Sequence, residues 1–212
     1  GANLHEVEKG TDYDTAMEKV AHEVRAGGGN PYIIPGGASN TVGALGYVAC
    51  AEELLQQCDE QDVSFDHLVL ASGSAGTHAG IAVGLRASGS GLPILGIGVN
   101  IPKDQQEAKV FTLASATAKY IDHPGCVARE DIIADCDYVG PGYGEPTDGM
   151  NDAVLMLARL EGLLFDPVYS GKALDGMIDY IRKGRFGKDE RIVFLHTGGV
   201  AGLFAYADIL KL

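Results

Sequence analysis

His67-Leu-Val-Leu-Ala-Ser-Gly-Ser-Ala-Gly-Thr-His-Ala-Gly80 is the stretch from which the fold is read. Leu68 to Ala71 is a short unbroken apolar run, the pattern of a strand covered on both faces. Ser72, Gly73, Ser74, Ala75, Gly76 and Thr77 follow, all small or hydroxylic, and Ala79 to Ala87 reads as a helix. Strand, glycine-rich turn and helix together aim free main-chain N–H groups at an anion. Small side chains let an oxyanion reach the backbone, and the positive end of the helix dipole adds attraction. The stretch predicts a phosphate cradle. A turn whose glycines serve only strand–helix packing has the same composition and stays open as a reading.

Missing residues narrow the ligand. A P-loop ends in Gly-Lys-Ser/Thr, whereas Gly76 precedes Thr77 and His78. A dinucleotide fingerprint needs the order G-x-G-x-x-G and an acid after the next strand. Here the glycines fall at Gly73, Gly76 and Gly80, and the next strand ends in Val99-Asn100. That disfavours a dinucleotide-dependent oxidoreductase and leaves a single phosphate on a smaller ligand, such as pyridoxal phosphate.

The 212 residues suffice for one α/β domain, or a domain plus part of another. Hydrophobic residues make up 46%, enough for a sizeable core. The formal net charge of −13 disfavours nucleic acid and anionic membranes as partners. Cys50, Cys58, Cys126 and Cys136 form no C-x-x-C pair, so no metal site is expected. Reduced thiols in a cytoplasmic protein are expected instead. No apolar run approaches membrane-spanning length. The start at Gly1-Ala2-Asn3 predicts a processed or excised product, or a vector-derived beginning.

Outward from the central stretch, strands are expected at Pro93–Val99, Asp131–Tyr138 and Arg191–His196, with shorter ones at Asn3–Val7 and Tyr32–Ile34. Helices are expected at 16–25, 42–58, 105–120, 148–160 and 170–183, and Leu163–Tyr169 reads as extended because a residue before proline avoids helix. Alternating apolar strands and helices predict an α/β fold: a mostly parallel sheet covered by helices, with right-handed crossovers. Functional groups of such sheets gather at the strands' carboxyl ends. Those ends carry Gly36-Gly-Ala-Ser-Asn40, Ser72–Thr77, Tyr143 in its glycine–proline loop, and His196-Thr-Gly-Gly199. His78 and His196 are read as structural.

Four separated motifs occur in order: Ser72-Gly-Ser-Ala-Gly-Thr-His-Ala-Gly80, Gly140-Pro-Gly-Tyr-Gly-Glu-Pro146, Leu163-Leu-Phe-Asp-Pro-Val-Tyr-Ser-Gly-Lys172 and Phe194-Leu-His-Thr-Gly-Gly199. From about residue 30 onward the chain resembles the D-cysteine desulfhydrase and 1-aminocyclopropane-1-carboxylate deaminase family of pyridoxal-phosphate enzymes. Gly36–Asn40, Gly43–Val48 and Ile181–Phe186 look closest to L-cysteate sulfo-lyase. The resemblance implies fold type II (tryptophan synthase β-like), with residues 1–38 a remnant of the small domain and 39–212 the large cofactor-binding domain. It implies that Ser72, Gly73, Ser74, Ala75, Gly76 and Thr77 hold the cofactor phosphate. Thr197, with Gly198 beside it, would meet the pyridine nitrogen. Tyr143 and Tyr169 would serve as catalytic groups on the substrate side. Ser170 would be a further cofactor-binding residue; it stands where the deaminases carry glutamate, which argues against cyclopropane ring opening.

The implied activity is α,β-elimination from a small sulfur-containing amino acid. L-Cysteate would give pyruvate, ammonia and sulfite; D-cysteine would give sulfide instead. The family's Schiff-base lysine, in a Gly-Asn-Lys context, does not occur in this chain. The expectation is therefore a C-terminal portion that works with an N-terminal segment of the same enzyme, in a homodimer. A lysine-less, non-catalytic module binding a phosphate ligand or a partner is the rival.

Overall fold

The computed structural model describes residues 1–8 and 10–210. In chain order the regular elements are α1 (Tyr13–Ala26), α2 (Thr41–Gln61), β1 (His67–Ser72), α3 (Gly76–Ala87) and β2 (Ile94–Gly98). They continue with α4 (Lys103–Tyr120), β3 (Ile133–Asp135), α5 (Asp148–Glu161), α6 (Ser170–Arg182) and β4 (Ile192–Leu195). A 3₁₀ stretch (Val200–Tyr206) leads into the short α7 (Ala207–Leu210). α1, α2 and α5 begin at side-chain caps: Asp12, Asn40 and Thr147 accept from the amides of Thr15, Gly43 and Met150.

The four strands form one sheet in the order β3-β2-β1-β4, with every pairing parallel. Strand periodicity sorts the core cleanly. Leu68, Leu70, Ile94, Val193 and Leu195 face a cluster built with α2, α3 and α4. Val69, Ala71, Leu95, Ile97, Ile192 and Phe194 face the opposite cluster, with Ala173 and Met177 of α6. Both sheet faces are therefore covered, which is why β1 and β2 are apolar at consecutive positions. A third cluster joins α5 and α6 through Met150, Ala153, Val154, Phe165 and Leu174. Among the described residues, α1 contributes to none of these clusters.

Three local expectations need correction. Asn3–Val7 and Tyr32–Ile34 are irregular, not strands. They lack a neighbouring strand to take their backbone bonds, which propensity alone cannot supply. The third strand is only Ile133–Asp135, because Arg129–Asp131 winds into a 3₁₀ turn. The Asp131 carboxylate accepts from Ala128 N at 2.7 Å and from Arg86 Nε at 2.8 Å, which holds that turn. The extended run from Leu163 breaks at Pro167–Tyr169, where the chain turns.

One glycine shows how the sheet admits a polar residue. A Cβ on Gly96 of β2 would lie 2.5 Å from the His78 ring, so only glycine lets that imidazole pack flat on the strand. Gly96→Ala should therefore cost about 1–3 kcal/mol through overpacking. Chemical denaturation is the check, and an unchanged midpoint would contradict the packing described.

Candidate functional site

At the carboxyl ends of β1 and β4 lies a cavity of about 280 Å³. One wall is the turn from β1 into α3, with Gly73, Ser74, Ala75, Thr77 and His78. The facing wall is Thr197, Gly198 and Gly199 after β4. Tyr169, Asp166, Tyr47 and Gly37 close the sides. The sheet order decides this arrangement, because β1 and β4 are neighbours although more than a hundred residues separate them.

The turn has the form of an anion cradle. Ala75 sits at φ 88°, a left-handed conformation uncommon for a residue with a Cβ. The amides of Ser74, Ala75, Thr77 and His78 find no backbone or side-chain acceptor among the described residues. Gly76 N donates to Ser39 Oγ (3.2 Å), and Ser39 Oγ also bonds Ser74 Oγ (2.7 Å). The 36–40 segment thus braces the turn from behind. A Cβ on Gly73 would lie 3.2 Å from both the Tyr169 ring and Val99, so glycine keeps that approach clear.

Not every predicted site residue enters the cavity. Gly73, Ser74, Ala75, Thr77, Tyr169, Thr197 and Gly198 line it, whereas Gly76 sits one step behind, against Ser39. The Ser72 side chain turns into the interior instead. Gln106 Nε2 donates to its oxygen (2.8 Å), and the same hydroxyl is hydrogen-bonded to His78 Nδ1 (3.0 Å). Ser170 is buried against Asp166, its Oγ donating to Oδ1 at 2.6 Å. Tyr143 reaches the site through the hydroxyl of Tyr169, with which it is hydrogen-bonded. Burial, and then the bond to Tyr169, raise the Tyr143 pKa, so it stays a neutral phenol.

Two features escaped the sequence reading. Asp166 is nearly fully buried; its Oδ2 accepts from the amides of Val168 and Tyr169, and its Oδ1 from that of Ser170. The Asp-Pro pair is a legible turn signal, but its aiming of Tyr169 is not. Tyr47 reaches the cavity only through tertiary packing, where Gly37 of the 36–40 segment joins it. His196 is structural as expected: Nε2 donates to Leu164 O (2.9 Å) and Nδ1 accepts from Gly198 N (3.2 Å).

A family described as "Pyridoxal-phosphate dependent enzyme" matches residues 1–198. The chain belongs to that family. A D-cysteine desulfhydrase of Salmonella typhi is 46% identical over 196 residues, covering 92% of this chain and 58% of the relative. The chain therefore spans little more than half of that curated protein. A crystal structure of an ACC deaminase homologue superposes with a TM-score of 0.87 at 33% identity, covering 97% of this chain and 62% of its own. An O-ureido-L-serine synthase structure (TM-score 0.58, 17% identity) covers 93% of this chain and 56% of its own, and shows the fold alone.

The cavity suits the family's cofactor. Unpaired amides at a helix N-terminus fit a phosphate, and Thr197 lines the same cavity with Tyr47 and Tyr169. His78 beneath the cradle is fully buried, which lowers its pKa from 6.5 to about 4. A histidine held neutral by burial adds stability above its unfolded pKa. That stability drains away as pH falls from 6.5 toward 4, because the unfolded chain protonates first. The loss should reach about 3 kcal/mol. His78→Asn should flatten this part of the stability–pH curve, and equal slopes for the two proteins would refute the assignment.

Proposed function

We propose that the intact protein is a pyridoxal-phosphate-dependent carbon–sulfur lyase that performs α,β-elimination on a small sulfur-containing amino acid. The observation that carries this reading is the pairing of unbonded α3 amides with Thr197 across one cavity. In it, Ser74, Ala75, Thr77 and their amides hold the cofactor phosphate, with Gly73 and Gly76 permitting close approach. Ser72 and Ser170 act from behind, the first anchoring the turn to α4 and the second fixing Asp166. Thr197 and Gly198 take the pyridine edge. Thr197 brings no charge there, so the ring would be a weaker electron sink than it would be beside a carboxylate.

The bound cofactor supplies an electron sink for the pair released at the substrate's Cα. Tyr169, oriented by Asp166, and Tyr143 then orient the substrate and exchange protons with it through their hydroxyls. Among the described residues no lysine lines the cavity, and the fully buried Lys172 is bonded to two main-chain carbonyls. The reading therefore assigns the cofactor-linking amine to an N-terminal segment of the same enzyme. Residues 1–38 would then be part of the small domain and 39–212 the cofactor domain, which the isolation of α1 from the core clusters supports. A cytoplasmic homodimer completes the proposal. Four free thiols are in keeping with a reducing compartment, and no described helix is long and apolar enough to cross a membrane.

L-Cysteate is the first substrate proposed, on the resemblance within 36–48 and 181–186. D-Cysteine is second, supported by the 46% identical desulfhydrase. Incubating the intact enzyme with each amino acid should yield sulfite and pyruvate from L-cysteate. Sulfide from D-cysteine without any sulfite would reverse the order. That no described lysine lines the cavity favours one rival, that this chain alone binds the cofactor without turnover. Gly73→Val should weaken pyridoxal phosphate binding at least about tenfold by filling the space beside Tyr169. Calorimetry would show it, and undiminished binding would remove the cavity from the proposal.

A further inference from the structure

Among the described residues, Lys172 is the largest side chain with no exposed surface. A buried ammonium is costly unless its donors are matched. Its Nζ donates to Val139 O at 2.5 Å and to Gly142 O at 2.9 Å, and among the described residues no carboxylate forms an ion pair with it. Burial pushes its pKa down while Glu145 opposes the shift. Both carbonyls belong to the irregular loop 139–146, which carries Tyr143. Within that loop the main-chain bonds are few: Val139 N to Cys136 O (3.4 Å) and Glu145 N to Gly142 O (3.2 Å). Lys172 lies three residues beyond Tyr169, in the first turn of α6.

We infer that Lys172 is a positioning residue whose ammonium clamps the Val139–Gly142 backbone onto α6 and thereby sets the Tyr143 hydroxyl against that of Tyr169. A loop without regular structure holds a side chain only as well as its backbone is tied down. Lysine suits the task because one –NH₃⁺ carries three donors on a flexible stem and can serve two carbonyls from below. Tyr206, which donates to Gly144 O at 2.8 Å, fixes only the far side of the loop. The inference rests on the proposal that the two phenols face the substrate.

The test is Lys172→Met in the intact, cofactor-loaded protein, with Lys172→Gln as a second variant should the first fail to fold. Amide exchange across 139–146 should accelerate at least about tenfold while β1 and α3 keep their protection. Turnover number should fall by about 100-fold, with KM and cofactor affinity held within about twofold. In a Tyr143→Phe background the same change should cost nothing more, because Lys172 acts through that phenol. Unchanged exchange across 139–146, or losses that simply add, would overturn the clamp. Full activity of Tyr143→Phe alone would defeat the catalytic reading and the positioning role with it, while the exchange result would still report the clamp separately.

Discussion

The Ser72 hydroxyl, buried between Gln106 and His78, ties together the parts that make the site. It ends β1, and its two partners belong to α4 and to the first turn of α3. The turn that follows is held at both ends before any ligand arrives. Losing one partner of such a buried group costs about 1–3 kcal/mol, because the other is left without its bond. The anion cradle therefore inherits the rigidity of the sheet. Gly96 belongs to the same constraint, since the imidazole lies where a side chain on β2 would have been.

Around that fixed turn, the rest of the site is placed by backbone bonds to side chains that do no chemistry. Asp166 gathers three amides and a hydroxyl and so turns Tyr169 toward the cavity. Ser39 braces the cradle from the start of α2. His196 uses both ring nitrogens to fix the strand end that presents Thr197. The groups proposed to touch the cofactor or substrate are small hydroxyls, main-chain amides and phenols. Their supports are polar side chains already engaged with other groups of the protein. A support bonded within the fold holds its partner in place, whereas cavity-lining amides stay free for a ligand.

The first residues behave differently from the rest. Tyr32 and Ile34 are exposed, and Ala21 is the one buried residue of α1. An amphipathic helix without a partner gains little from its apolar face. That explains why propensity in 1–35 does not settle into strands, while similar apolar runs at 68–71 and 94–98 do.

The sequence by itself determined the α/β class and the strand–turn–helix order, because apolar periodicity and short turn chemistry are local and survive without a partner; the family came from the resemblance carried by four separated motifs. It also brought Ser74, Ala75, Thr77, Tyr169, Thr197 and Gly198 forward, since each lies in a motif whose composition is unusual for a core. Only the tertiary structure decided that β1 and β4 are neighbours, that Ser72 faces inward rather than toward the cavity, and that Lys172 is spent on carbonyls of the Tyr143 loop. Those facts depend on which way a side chain points and on what folds against it. Spacing along the chain carries that information for a helix face or an alternating strand. It carries none of it for an irregular loop, where contacts between distant segments set the geometry.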